Sequence, residues 1–200
     1  MTTARDLFVI TMDRESDRPV GQGDLSLALA GAEVIDLVGA GALVLEGDLM
    51  VPKSGAATDD RLLDEAAAKL SHDAPYERVE DWLWRRGRDL AGAYQSDLEQ
   101  SGQLVRQKRG RLSLKGERME LADSPARTRA LHRWAADEPV LLALAEVVGI
   151  PVEQPEDTPA VVDEGVTTVL VAVHDAVMEL EAVRQRRSIE KAAFANIWRG

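Results

Sequence analysis

A mainly α fold, one compact helical domain over residues 1–200 with two small β-hairpins, is predicted by three observations. Apolar residues recur at helical spacing through most of the chain. Residues that start and stop helices punctuate those runs, among them Ser124-Pro125, Asp137-Glu138-Pro139, Gly39, Gly102 and Gly149. Strand-like alternation is confined to the flanks of Glu46-Gly47-Asp48 and Lys108-Arg109-Gly110. The 200 residues are 45% apolar, enough for a packed core in a chain of one-domain size.

In order, Thr2/Thr3 cap a first helix carrying Leu7, Phe8, Ile10 and Met12, although Val9-Ile10-Thr11 also suits a strand. Asp13–Gly23 is a polar loop. Asp24 opens a second helix through Leu25, Leu27, Leu29, Ile35 and Leu37, and Gly39 and Gly41 end it. Its small residues, Ala28, Ala30, Gly31 and Ala32, suit close packing of neighbouring helices. Leu43–Leu45 and Leu49–Val51 form the first hairpin. After the loop Pro52–Asp60, Thr58/Asp59 cap a helix over Asp60–Leu70. Ser71–Pro75 is a break. A helix from Tyr76 to Arg86 turns Val79, Trp82 and Leu83 inward, Gly87 interrupts it, and another runs to Gln100. Gln103–Arg109 and Arg111–Leu121 form the second hairpin. Ser124-Pro125 starts a helix through Leu131 and Trp134, and Pro139 starts the next, which Gly149 stops. Ile150–Pro159 is a loop. Val166–Val173 is strand-prone, but Val169, Val173, Val177 and Leu180 recur at helical spacing, so Pro159–Arg187 is predicted helical. Ser188 caps a final helix ending near Trp198.

The charge is unevenly distributed. The chain carries net −11, yet Arg85–Arg133 holds twelve Lys/Arg against six acids. Such a split points to one face meeting something anionic while the rest keeps the protein soluble, with a solvated, charge-edged hairpin as the alternative. Strong overall acidity argues against a nucleic-acid partner, and no aromatic residues interleave the hairpin basics Arg106, Lys108, Arg109 and Arg111 as a stacking platform would need. The absence of cysteine removes a disulfide framework, a thiolate zinc site and a Cys nucleophile, and fits a reducing compartment. The start has an acid at Asp6 and no cleavage signal. The longest apolar runs fall short of the roughly 20 residues needed to span a bilayer. The expectation is a cytoplasmic protein, peripheral at the inner face of the membrane if it touches lipid.

Catalytic chemistry finds little support. His72, His132 and His174 share no local motif and read as helix-face histidines, although Asp175 could orient His174. Gly21-x-Gly23 precedes a helix but lacks the strand and third glycine of a phosphate loop. Asp24 would repel an anion from that helix N-terminus. Asp59-Asp60, Asp64-Glu65 and Glu80-Asp81 fit capping and the helix dipole better than acid–base work. The chain therefore reads as no enzyme, with no metal or cofactor. Trp82 and Trp84 point to different faces of their helix, beside Arg85, Arg86 and Arg88. An exposed Trp among arginines suits a membrane interface; a Trp under an arginine stem is the other reading.

Four segments in register carry a family resemblance. They are Gly31-Ala32-Glu33-Val34-Ile35-Asp36-Leu37 with Gly41–Leu45, then Arg61-Leu62-Leu63-Asp64-Glu65-Ala66, Ser101-Gly102-Gln103-Leu104 before the basic hairpin, and Pro139–Leu144. In order and spacing they resemble the Golgi phosphoprotein 3 family over nearly the whole chain. Low Lys, a single Asn and abundant Ala, Arg and Asp suggest a bacterial member. The resemblance implies a mostly helical peripheral membrane protein. Its eukaryotic relatives bind phosphatidylinositol 4-phosphate and act as adaptors for Golgi glycosyltransferases. Their headgroup pocket uses a tryptophan, an arginine nine residues later, and an Arg-x-x-Arg before the second hairpin. Here those positions fall on Gly21, Ala30, Arg88 and Ala91, so Arg88 alone is kept. Arg18, Arg85 and Arg86 cluster nearby and are the candidate substitutes for binding an anionic phospholipid headgroup. The alternative is a soluble protein-interaction module that has lost lipid binding and uses its basic face for an acidic protein partner. The edges of the first hairpin are a candidate surface for homo-oligomerisation.

Overall fold

The structure, a computed structural model, describes residues 2–14, 19–53, 58–107, 118–152 and 163–197. Among these residues the order is α1 (Thr3–Asp13), α2 (Gln22–Gly39), β1 (Leu43–Glu46), β2 (Leu49–Pro52), α3 (Arg61–Ala67), α4 (Val79–Arg86), α5 (Leu90–Gln100), β3 (Leu104–Gln107), β4 (Arg118–Leu121), α6 (Pro125–Ala135), α7 (Pro139–Val147) and α8 (Glu164–Ile197). The mainly α architecture and both hairpins agree with the sequence reading.

The chain is built around α2. Every residue from Leu25 to Val34 is buried, and α1, α3, α4, α5, α7 and α8 all pack on it. A helix apolar on nearly all sides has to sit inside a fold. Its small residues set the spacing: a Cβ on Gly31 would stand 2.2 Å from Val173 Cγ2 of α8. That approach runs α8 antiparallel to α2, with Val173 beside Gly31 and Arg184 beside the α2 N-terminus. Trp82, fully buried, seals the other side and donates its indole N–H to the Ala30 carbonyl at 3.2 Å.

Caps decide most boundaries. Thr2 caps α1, Ser124 caps α6 ahead of Pro125, and Glu138 caps α7 ahead of Pro139. Asp36 of α2 adds a long-range cap, accepting the Thr3 and Ala4 amides at 2.8 and 3.0 Å. Four predicted boundaries are corrected. α3 is capped by Asp60, whose carboxylate accepts from Leu62 and Leu63, rather than by Thr58/Asp59. The helix expected from Tyr76 begins at Val79, because residues 77–79 are held on the first hairpin. They hydrogen-bond to the turn and the start of β2, with Met50 N–H donating to the Glu77 carbonyl and Val79 N–H to that of Asp48. This contact occupies part of the hairpin edge considered for oligomerisation. Ser188 caps nothing, because α8 is one helix of 34 residues. In the second hairpin, Gln107 pairs with Arg118, whereas a turn at Lys108-Arg109-Gly110 would pair it with Arg111. Burial of Leu104 and partial burial of Met119 and Leu121 anchor the observed ladder.

Candidate functional site

The end of α4 determines where the arginine cluster points. Gly87 follows α4 directly, and a Cβ there would lie 2.5 Å from the Leu83 carbonyl oxygen and 3.3 Å from that of Ser26. Only glycine lets this turn press against α2. Asp89 then takes a left-handed conformation (φ 55°) to start α5. Arg88, between the two, is lifted out to solvent beside half-buried Trp84.

A cavity of about 420 Å³ opens at this point, lined by Gln22, Gly23, Trp84, Arg88, Asp89 and Leu180 among others. The first turn of α2 forms one wall. No side chain caps that helix, so its leading amides remain available at the positive end of the helix dipole. Asp24, expected to repel an anion here, is held by Arg184 Nη1 at 2.7 Å from both carboxylate oxygens. Among the described residues Arg88 makes no hydrogen bond or ion pair. The cavity thus has an unpaired guanidinium, a helix N-terminus and apolar flanks in Trp84, Leu27 and Leu180, with the Asp89 carboxylate as an opposing charge at its edge.

The other predicted ligands lie elsewhere. Arg86 turns inward and is 7% exposed. Its Nε and Nη2 donate to the two oxygens of fully buried Glu33 at 2.7 and 2.8 Å, and Nη2 also reaches the Leu62 carbonyl at 3.2 Å. Tyr94 donates its hydroxyl to Glu33 at 3.2 Å. Burial pushes the Glu33 carboxyl above its ordinary range, opposed by the Arg86 hydrogen bond and charge. Burial, then the Glu33 charge, pushes the Tyr94 phenol well above its usual range. Arg85 grips Glu77 with two hydrogen bonds at 2.7 and 2.6 Å and lies 5.0 Å over the Trp82 ring. The expected convergence of Arg85, Arg86 and Arg88 on one pocket does not occur: Arg85 and Arg86 face α3 and α2, while Arg88 faces the cavity.

Arg106 of the basic hairpin pairs with Glu99 at 3.4 Å. Lys108, Arg109, Arg111 and Arg18 lie outside the described residues. On α6, Arg127 binds Asp13 at 2.7 Å, and Arg129 and Arg133 both reach buried Asp6, at 3.3 and 2.8 Å. Much of the +6 stretch therefore neutralises acids of the same fold. Sequence reasoning missed Arg184 and Glu33, whose partners stand 160 and 53 positions away. No local pattern marks such pairs.

A second cavity, about 450 Å³, lies by the α1 N-terminus among Thr2, Thr3, Asp36, Thr58 and Glu138. Its Asp36 and Glu138 carboxylates already cap α1 and α7. No group of three or more His, Asp or Glu suited to a metal ion occurs among the described residues. Nor is any helix among them long and apolar enough to cross a membrane.

Two of the pocket positions implied by the family resemblance are now packing points. Ala30 is fully buried under Trp82, and Ala91, 1% exposed, donates its amide to Ser26 Oγ at 3.0 Å. Gly21, at the tryptophan position, is the N-cap of α2, and the next two residues, Gln22 and Gly23, line the cavity with Arg88. No curated protein matches the chain. The family model described as Golgi phosphoprotein 3 (GPP34) matches residues 4–191, a span that takes in α2, both hairpins and the Arg88 cavity, and the chain belongs to the Golgi phosphoprotein 3 family.

Proposed function

We propose that this chain is a peripheral module that docks on anionic phospholipid membranes, taking a headgroup phosphate in the cavity at the α2 N-terminus. The observation that carries the proposal is the isolation of Arg88. The family resemblance makes it the retained headgroup arginine, and it faces a cavity without an ion-pair partner among the described residues. A guanidinium offers charge-assisted, two-pronged donation to phosphate oxygens. The amides of Gln22 and Gly23 would add neutral donors. Trp84 supplies an amphipathic ring where headgroups meet acyl chains.

The replacement of two inherited arginines by Ala30 and Ala91 weakens selection for a monoester phosphate, which needs several converging charges. The reading is therefore a general anionic headgroup, not phosphatidylinositol 4-phosphate in particular. The competing reading, a soluble adaptor without lipid affinity, draws on the ion pairs that neutralise Arg85, Arg86, Arg106, Arg127, Arg129 and Arg133 of the basic stretch.

Vesicle flotation separates the two. Neutral, anionic and phosphoinositide-containing vesicles are compared at low ionic strength and at about 0.5 M salt, where exposed charges are screened. Binding to both anionic compositions is expected, lost at high salt and lost with Arg88→Glu. Absence of binding to any anionic vesicle at low salt would leave the adaptor reading standing.

A further inference from the structure

The outer face of α8 has no role in the headgroup site. Val169, Val173 and Ala176 bury the inner face against the body. On the opposite side Val171, Met178 and Ile189 are 55%, 57% and 71% exposed. With exposed Ala182 and Ala192 they recur at intervals of seven, four, seven and three residues. That is the seam spacing by which one helix packs along another. The seam runs from Val171 to Ala192, roughly 30 Å at the helical rise. Beyond Arg184, moreover, every described side chain from Gln185 to Ala192 is exposed. A helical end with no packing of its own is marginal in isolation.

Charge identifies the occupant. From its start to Val183, α8 carries Glu164, Asp175, Glu179 and Glu181 and no Lys or Arg. From Arg184 on it carries Arg184, Arg186, Arg187 and Lys191 against Glu190. Arg184 is engaged by Asp24, but Asp175, Glu179, Arg186, Arg187 and Lys191 have no ion pair among the described residues. A cleft of about 270 Å³, lined by Asp48, Glu80, Val171, Asp175 and Glu179, extends the acidic end sideways.

We propose that α8 is a self-association surface, pairing antiparallel with α8 of a second copy. Antiparallel alignment sets Met178 against Ile189 and Ala182 against Gln185. It also sets Asp175 against Ala192, beside Lys191, and Glu179 against Arg186. The acidic half of each helix then lies along the basic half of the other, and a two-fold axis closes the pair. A parallel pair would stack Asp175 on Asp175 and like halves on like. The two bodies lie on opposite sides, because each core face points away from its seam. This inference is independent of the headgroup reading and uses a different face.

Sedimentation velocity over about 1–200 µM tests it. A monomer–dimer equilibrium that weakens with salt is expected. Met178→Lys or Ile189→Lys is expected to raise the dissociation constant at least ~10-fold. Glu179→Arg should weaken the dimer, and Glu179→Arg with Arg186→Glu should restore it, since only the antiparallel register brings these positions together. Far-UV circular dichroism checks that the exposed substitutions leave the helices folded. A chain that stays monomeric throughout overturns the proposal, as does a dimer indifferent to Met178→Lys and Ile189→Lys. Monomers whose vesicle binding falls with Ile189→Lys would assign the face to the membrane instead.

Discussion

Arg86 and Arg88 are two residues apart, and their surroundings are opposites. Arg86 is buried on Glu33, within reach of Glu65 and the Leu62 carbonyl, and ties α4 to α2 and α3. Arg88, past the turn at Gly87, faces an open cavity with no partner among the described residues. The helix ends between them: Arg86 is the last residue of α4, and the turn through Gly87 carries Arg88 off the helix. The same contrast holds at larger scale. Between α1 and α6, Arg127, Arg129 and Arg133 are matched to Asp13 and Asp6. At the α2 N-terminus, Asp24 is neutralised by Arg184 and Arg88 is left over. A basic cluster in a sequence counts cations; the fold decides which of them still has a charge to offer.

The largest expected effect that tests this contrast is at Arg86. Arg86→Ala leaves Glu33 buried with only Tyr94 as a donor. Removing one partner of a buried ion pair costs about 3–5 kcal/mol, read as a lower urea midpoint at unchanged slope. Arg86→Met with Glu33→Gln removes both charges and is expected to recover much of that loss. A cost below about 1 kcal/mol for Arg86→Ala would mean that the node is not what joins α4 to α2.

Asp60 gives a smaller effect with a pH signature. Burial works to raise its pKa, but the Arg5 hydrogen bond and charge, with the Leu63 and Leu62 amides, outweigh it, and the carboxyl titrates below its ordinary range. A carboxylate whose folded pKa is depressed stabilises the fold above the unfolded pKa, about 3.9. That contribution is lost as pH falls through the folded value. Asp60→Asn is expected to cost about 1–3 kcal/mol at neutral pH and to flatten the loss of stability below about pH 4. An acid limb identical to that of the unsubstituted chain would assign the acid sensitivity to other carboxylates.

The fold was largely legible because its determinants are local. Ser124-Pro125, Glu138-Pro139 and Gly102 act within one turn of where they stand, and the small residues of α2 already pointed to close packing of neighbouring helices. The failures have a common origin in longer range. Ser188 resembles a cap, but α8 runs straight through it. The turn expected at Lys108-Arg109-Gly110 lies outside the described residues, and the described ladder, with Gln107 opposite Arg118, is anchored by buried Leu104 and by Leu121 against the core. At the site, Arg88 was legible from its place in the family motif, while the loss of Arg86 to Glu33 and the rescue of Asp24 by Arg184 were not. Both depend on residues brought together only by folding, one across 53 positions and one across 160.

The smallest expected effect is the most discriminating. Arg88→Ala removes a side chain that packs nothing into the core and, among the described residues, holds no partner. Its effect on folding should stay within about 0.5 kcal/mol, the range of ordinary surface substitutions. That near-silence is what makes the residue interpretable. An arginine kept at an open cavity without stabilising the fold, while its neighbours Arg85 and Arg86 are bound to Glu77 and Glu33, is free to bind something outside the chain. A destabilisation above about 1 kcal/mol on Arg88→Ala would show that the fold already uses this guanidinium, and would remove the ground for treating it as a ligand.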